Sequence, residues 1–156
     1  MAIEIERKFL VTGDSYKALA YQSDRIIQGY ICREGGNYAR VRVRGDKGFL
    51  TIKGPSPDGG LSRFEWEKEI PVAEALELLK LCHGGIIDKI RHLVKCGNHT
   101  FEVDEFFADN KGLVVAEVEL SDIGEEFEKP DFIGQEVTGD KRYYNSSLTR
   151  VPYKTW

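Results

Sequence analysis

The sequence has few of the residues on which soft-metal and nucleophilic chemistry depend. It has three cysteines, which lie far apart with no CxxC pair, and three histidines with no HxH or HExxH spacing. These spacings argue against the common zinc motifs. Isolated cysteines of this kind are typical of reduced proteins of the cytoplasm. We therefore expect a cytoplasmic protein in which cysteine and histidine have packing roles.

Several functional motifs are also absent. No GxSxG nucleophile motif occurs, and the glycine-rich loop at 54–60 is not followed by the GK[ST] of a P-loop. The N-terminus lacks the apolar core of a signal peptide, and no apolar run approaches the length of a membrane span. The 22 basic residues are balanced by 26 acidic ones, for a net charge of -4. We therefore expect neither a membrane nor a nucleic-acid partner, although a local basic pocket remains compatible with this charge.

What the sequence does contain is a regular alternation of charged and apolar residues. Its 156 residues, 41% hydrophobic and 31% charged, fit one domain spanning 1–156. Side chains of a strand point alternately to its two faces, so Glu4, Glu6 and Lys8 share one face of the first predicted strand. A later strand has a row of arginines on one face, Arg40, Arg42 and Arg44.

The same alternation returns along the rest of the chain. Charged residues share a face, or end a strand, in five further segments: Lys53; Arg63, Glu65, Glu67 and Glu69; Lys89 and Arg91; Glu102 and Asp104; Glu117 and Glu119. Helices are predicted from Pro71 to Cys82, over Asp122–Glu128 and over Thr138–Leu148. We expect a mainly β fold of the α+β class, an eight-stranded antiparallel sheet that is closed or C-shaped, with a charged lumen and helices outside.

A lumen of this composition indicates the kind of ligand. Its many cations require a highly charged anion, and its carboxylates would repel that anion unless divalent metal ions intervened. Carboxylate oxygens suit Mg²⁺ or Mn²⁺ better than zinc. The alternative is that acids and bases of facing strands neutralise one another, but burial of so many paired charges is costly. A linear polyphosphate with bound metal accounts for both signs of charge.

The opening strand has the pattern ExExK, Glu4-Ile5-Glu6-Arg7-Lys8, and the charged strands follow it in a fixed order up to the tail at 134–143. This ordered set, over essentially the whole chain, resembles the CYTH superfamily, the triphosphate tunnel metalloenzymes, and in particular its small single-domain bacterial members. The resemblance implies a tunnel that binds a triphosphate with metal and acts at a phosphoryl group.

The resemblance also implies a role for each matching residue. One metal ion would be held by Glu4, Glu6 and Glu119, and a second by Glu65, Glu67, Asp104 and Glu117. The phosphate-binding cations would be Lys8, Arg40, Arg42, Lys53, Arg63, Lys89, Arg91 and Lys141. Among all of these, the catalytic candidates are Glu4, Glu6, Lys8, Lys89 and Arg91.

The substrate is left open by the resemblance, because members of the superfamily act on different triphosphates. We expect metal-dependent hydrolysis of inorganic triphosphate to pyrophosphate and phosphate. The alternatives are a thiamine triphosphatase, an adenylate cyclase of class IV type that binds its base on Phe106, Phe107 or Tyr143, and a polyphosphate-binding module without turnover. A homodimer is expected from its frequency among soluble proteins alone.

Overall fold

One antiparallel sheet of nine strands forms the body of the protein in the computed structural model, which describes residues 2–156. The strands are β1 (Ala2–Val11), β2 (Gln22–Glu34), β3 (Asn37–Arg44), β4 (Lys47–Lys53), β5 (Ser62–Ile70), β6 (His83–Cys96), β7 (His99–Phe106), β8 (Val114–Leu120) and β9 (Ile133–Glu136). The turn between β2 and β3 has positive φ at both Gly35 and Gly36, which suits the twist of a two-residue hairpin.

The sheet closes on itself through β1. Residues Ile5 to Leu10 of β1 pair with β8, while Ala2 to Ile5 pair with β5, so that eight strands complete a ring. The short strand β9 pairs with the end of β1 beyond the contact with β5. The predicted eight-stranded closed antiparallel sheet is confirmed, and β9 is an addition to it.

Apolar residues cover the outside of the ring, while its charged faces point inward. Phe9, Val103 and Val118 are fully buried in a cluster beneath the short helix α1 (Tyr16–Leu19) and the irregular segment 121–132. The helix α2 (Val72–Leu79) packs against β2, β3 and β4, and its Ala75 is buried. The arrangement supplies an apolar core without using the lumen, as the sequence predicted. No helix in the described part of the chain is both long and apolar enough to cross a membrane.

The prediction of a helix over Asp122–Glu128 is wrong, because this segment is irregular. Glu125 accepts hydrogen bonds from the backbone N–H and the hydroxyl of Ser121, and it also contacts His99. Gly124 lowers helix propensity further. Phe127 packs its ring against Phe9, so the segment serves as a cover for the outer core.

The helix predicted over Thr138–Leu148 is broken into two short pieces. A 3₁₀ turn covers Lys141–Tyr143 and α3 covers Asn145–Leu148, with Tyr144 extended between them. The side chain of Asp140 accepts a hydrogen bond from the backbone N–H of Arg142 and stabilises the first turn. The interruption turns Tyr144 and Asn145 towards the interior of the ring, where both line its cavity.

This C-terminal segment, residues 137–148, closes one end of the lumen, and we call it the plug. Three of its residues, Val137, Tyr143 and Leu148, are buried in one apolar cluster with Ile87, Phe106 and Val115 of the ring and with Leu113, which precedes β8. The plug is fixed to β1 by the hydrogen bond from Val137 N–H to Lys8 C=O, at 2.8 Å. The plug therefore packs against the apolar end of the lumen.

Candidate active site

The inward-facing residues change character along the length of β1 and β8. In β1 they run Glu4, Glu6, Lys8 and Leu10, from the open end to the plug, where Leu10 packs against the apolar cluster. In β8, Glu119 and Glu117 precede Val115, which lies in that same cluster. Because side chains alternate in a strand, the register of the sheet brings like positions together. Carboxylates therefore lie towards the mouth and apolar residues lie at the plug.

A cavity of about 190 Å³ occupies the lumen. All of the predicted site residues line it except Asp104 and Lys141. The cations are deeply placed: the side chains of Lys8, Arg40 and Lys53 are 8–9% exposed. The carboxylates of Glu65 and Glu67 are more open, at 26% and 38%. The cations of the site are thus buried, whereas the carboxylates of Glu65 and Glu67 are more accessible.

Lysines hold several of these carboxylates in place. Lys53 Nζ lies 2.7 Å from Glu4 Oε1 and 3.4 Å from Glu65 Oε2, and Lys8 Nζ lies 3.3 Å from Glu117. Burial and the neighbouring carboxylate of Glu117 raise the pKa of Glu6 well above its usual value. Burial also works to raise the pKa of Glu117, but Lys8 and a hydrogen bond with Glu6 outweigh it and hold that pKa low. The two neighbouring carboxylates thus have pKa values shifted in opposite directions, as expected for acids that oppose each other's ionisation.

Asp104 belongs to a buried ion-pair network next to the plug. It accepts hydrogen bonds from Lys89 Nζ at 2.7 Å and from Arg91 Nε and Nη2 at 2.8 and 2.9 Å. Burial opposes its ionisation, but Arg91 and Lys89 outweigh burial and lower its pKa to about 2. Burial lowers the pKa of Lys89 to about 7 even though Asp104 acts against this. Both oxygens of Asp104 are thus bonded to cations of the protein.

The neighbouring Arg40 and Arg42 have fewer anionic partners than two buried guanidinium groups require. Arg40 is 3.4 Å from Glu67, and its Nε has no hydrogen-bond partner among the described residues. Arg42 donates to the neutral Oε1 of Gln28, and within the described residues it forms no ion pair. Burial, together with Arg40 and Arg91, lowers the pKa of Arg42 to about 9. An anion bound in the cavity would compensate both groups.

Comparison with known proteins shows which family the chain belongs to. The CYTH domain matches residues 2–152. The chain belongs to the CYTH family. A protein of Acetivibrio thermocellus named inorganic triphosphatase is 52% identical over 157 residues, covering 100% of this chain and 99% of the relative. One of the same name from Nitrosomonas europaea is 35% identical over 149 residues, covering 93% of this chain and 95% of the relative.

A solved structure shares the fold as well. The crystal structure of an inorganic triphosphatase superposes with a TM-score of 0.64 at 31% identity, and the match covers 96% of this chain and 95% of that one. The enzymes of the CYTH family that have this tunnel depend on a metal ion. The residues of the lumen can therefore be tested for their ability to hold one.

The carboxylates of this CYTH lumen fit a divalent ion in chemistry and in pairing. Glu4 lies within hydrogen-bond distance of Glu65, and Glu6 within that of Glu117, so that two pairs of acids approach each other closely. Carboxylate pairs of this kind are typical ligands of Mg²⁺ and Mn²⁺. Among residues 2–156, however, no three Asp, Glu, His or Cys side chains are gathered at ligand spacing. Lys53 Nζ bridges Glu4 and Glu65, so this pair is already partly neutralised by the protein.

Several residues of the CYTH site were missed by the sequence analysis. Tyr30, Tyr38, Thr138, Tyr144 and Asn145 all line the cavity. The Tyr144 ring lies between two cations, 5.1 Å from Lys8 Nζ and 5.1 Å from Arg63 Cζ. Arg44, in phase with Arg40 and Arg42, lines the cavity too, whereas Glu69 does not. Strand alternation could have identified Tyr30 and Tyr38, because Tyr38 is in phase with Arg40 on β3 and Tyr30 lies on the neighbouring strand, but the plug residues follow no such period.

The structure places Lys141 outside the cavity. It is exposed at the start of the plug, and it does not line the cavity. Phe106 and Tyr143 are buried in the apolar cluster at the plug, and neither they nor Phe107 lines the cavity. The aromatic base-binding patch considered for a cyclase is therefore not present at these three positions.

Proposed function

We propose that the protein hydrolyses inorganic triphosphate to pyrophosphate and phosphate in its lumen, with a divalent metal ion. One observation supports this most directly: the buried guanidinium groups of Arg40 and Arg42 have fewer anionic partners in the protein than their two positive charges require. A compact polyanion would supply the missing charge. The relatives named inorganic triphosphatase match almost the full length of the chain, and they support the same substrate.

The phosphate oxygens would be bound by the cations of the lumen. These are Lys8, Arg40, Arg42, Lys53, Arg63, Lys89 and Arg91, all of them buried. Arginine is suited to two oxygens of one phosphate at once, and buried charge-assisted hydrogen bonds are strong. The exposed Lys141 is left out of this set.

Metal ions would be held nearer the mouth. We assign Glu4, Glu6 and Glu119 to one Mg²⁺ or Mn²⁺ site, and Glu65, Glu67 and Glu117 to a second. A bound ion would neutralise phosphate oxygens and make a bound water more acidic. Asp104 instead orients Lys89 and Arg91, to which both its oxygens are bonded.

The reaction requires no covalent intermediate with the protein. The oxygen of a water attacks a phosphorus atom, the bridging P–O bond breaks, pyrophosphate leaves, and the water proton passes to solvent. The lumen cations stabilise the charge on the equatorial and leaving oxygens as that bond breaks. Such a transfer depends mainly on positioning and electrostatics, and rigid strands supply both.

The size of the cavity favours inorganic triphosphate over a nucleotide. At about 190 Å³ it is smaller than the ~300–1,000 Å³ typical of sites for drug-sized ligands. Its lining is mostly charged or hydroxylated, so it offers little apolar surface for a base. We further expect a cytoplasmic enzyme with no nucleic-acid or membrane partner, and sedimentation will show whether it forms the expected homodimer.

The direct test measures products from inorganic triphosphate, thiamine triphosphate and ATP in parallel, each with Mg²⁺, with Mn²⁺ and with chelator. We expect metal-dependent phosphate release that is fastest with inorganic triphosphate. Faster release from thiamine triphosphate would reassign the substrate. Cyclic AMP and pyrophosphate from ATP would replace the proposal by the cyclase, and binding without any product would leave a polyphosphate-binding module.

The metal assignment is tested by replacing Glu4 or Glu6 with glutamine. We expect turnover to fall at least about 100-fold, because ligands that hold or orient a metal contribute this much. Circular dichroism should show an intact fold. The matched control is Glu69→Gln, an exposed glutamate in phase on β5 that does not line the cavity, and it should retain wild-type activity. Full activity of Glu4→Gln and Glu6→Gln would contradict the assignment.

A further inference from the structure

Asn145 is the residue of the plug that reaches the buried charges of the lumen. It begins α3 and lines the cavity. Its Oδ1 lies 2.9 Å from Lys89 Nζ and 3.3 Å from Gln28 Nε2. The family resemblance gave no role to this position, and strand alternation does not include it.

The orientation of the Asn145 amide is fixed by its neighbours. An ammonium group can only donate hydrogen bonds, so the Asn145 atom that contacts Lys89 must be the oxygen. Gln28 is oriented in the same way, because Arg42 Nε, also only a donor, contacts Gln28 Oε1 at 2.8 Å. Gln28 therefore presents Nε2 to Asn145 Oδ1. The amide oxygen of Asn145 accepts two bonds, which leaves Nδ2 to point elsewhere.

The Nδ2 group of Asn145 forms no hydrogen bond with the described protein groups. An amide nitrogen has two donor hydrogens, and in a cavity lined by cations an anionic oxygen is their natural acceptor. Lys89 also has a donor hydrogen without an acceptor in the described protein. Two of its three donors are used by Asp104 and Asn145, so one remains for a ligand.

We propose that Asn145 is a substrate-binding residue: Nδ2 donates to the phosphate at the plugged end of the lumen, while Oδ1 holds Lys89 for the same phosphate. This assignment rests on the proposed binding of inorganic triphosphate. It means that the plug forms part of the substrate site in addition to closing the channel. Triphosphate then binds with one terminal phosphate next to the plug.

The variant Asn145→Asp separates the two functions of the amide. Aspartate has the same shape and keeps an oxygen for Lys89 and Gln28, but it replaces the donor NH₂ by a second acceptor. A new charge in the cavity repels triphosphate even without a direct contact, so the comparison is with Asn145→Ala: if Asn145 only positions Lys89, Asn145→Asp, which keeps the oxygen, should lose less affinity than Asn145→Ala. If Nδ2 contacts phosphate, the added negative charge should repel it. The new carboxylate lies beside Lys89 at the start of a helix, so we expect the variant to fold.

The readout is the rise in melting temperature that inorganic triphosphate causes in chelator, which reports binding without turnover. The KM for inorganic triphosphate with Mg²⁺ is measured alongside. We expect the apparent Kd and the KM to rise at least about 30-fold in Asn145→Asp and about tenfold in Asn145→Ala, from loss of a hydrogen bond to a charged group. The melting temperature without triphosphate should be unchanged in Asn145→Asp.

The control is Asn98→Asp, which makes the same change in charge at an exposed turn between β6 and β7. It should bind and turn over as the wild type does. Wild-type affinity in Asn145→Asp, within about twofold, would overturn the contact with Nδ2. If the wild type itself neither binds nor hydrolyses inorganic triphosphate, the proposed function fails, and this assignment fails with it.

Discussion

The two ends of the lumen are built from the same strands but differ in how far their charged side chains are buried and paired. Near the plug, Lys89 and Asp104 are 1% and 3% exposed, and each has close partners of opposite sign. Towards the mouth, Glu67 and Glu102 are 38% and 34% exposed, and their closest cations lie 3.4 and 3.2 Å away. The charges of Lys89 and Asp104 are thus compensated by the protein, whereas those of Glu67 and Glu102 are only partly compensated.

This difference separates residues that stabilise the fold from residues that are free to bind. A buried charge that loses its partner destabilises a protein strongly, whereas an exposed ion pair contributes little. We therefore expect the loss of a fully compensated charge next to the plug, such as that of Asp104, to change mainly stability, and substitutions of the carboxylates at the mouth to change metal and substrate binding. The following variants test that separation.

The largest effect is expected for Asp104→Asn. Removal of its charge leaves Lys89 and Arg91 buried without their main partner, and we expect the free energy of unfolding to fall by about 3–5 kcal/mol. Urea unfolding followed by circular dichroism measures it. The matched control at the mouth is Glu102→Gln, which removes a more exposed partner of Arg91 and should cost less than about 1 kcal/mol. Equal losses in the two variants would remove the distinction between the ends.

The apolar part of the plug gives the next effect. Leu148 is 1% exposed in the cluster that closes the lumen, so Leu148→Ala should lower the free energy of unfolding by about 2–5 kcal/mol. The control Leu19→Ala removes the same atoms from a side chain that is 57% exposed, and it should change stability by less than about 0.5 kcal/mol. A stable Leu148→Ala protein would show that the plug is not packed as described.

The pH dependence of stability sharpens the same comparison. The pKa of Asp104 is lowered to about 2 in the fold, below its ordinary value of about 3.9. Its carboxylate therefore stabilises the protein above that ordinary value, and the contribution is lost as pH falls from about 4 towards about 2. The gap in melting temperature between the wild type and Asp104→Asn should narrow over this range. If the difference in melting temperature between the two proteins stays constant down to the lowest pH measured, the stabilisation does not come from the ionisation of Asp104.

Much of this architecture could be predicted from alternation alone. The charged faces identified by the period of two lie in the closed sheet. They can point inward because the apolar residues that alternate with them pack outside against helices and irregular segments. The sequence also suggested a helix over Asp122–Glu128, where tertiary contacts prevailed. Side-chain hydrogen bonds of Glu125 and the burial of Phe127 replace helical bonds there, and no local pattern indicates this.

The site could be predicted less completely than the sheet, for two physical reasons. Strand alternation and the family resemblance place Asp104 among the acidic residues of the lumen, but they do not reveal that its two oxygens are bonded to Lys89 and Arg91. They also miss Tyr144 and Asn145, whose position depends on the break in the C-terminal helix. Both facts depend on contacts between segments distant in the chain.

The smallest effect is expected for Lys141→Ala. Lys141 is the one predicted phosphate ligand that the described structure places on the surface, where solvent and salt screen its charge. We expect the KM for inorganic triphosphate to change by less than about twofold. The contrasting variant is Arg63→Ala, at a buried cation that lines the cavity, where loss of a charged hydrogen bond should raise the KM about tenfold or more. A comparable rise in Lys141→Ala would mean that substrate binding extends beyond the cavity to the outer surface of the plug.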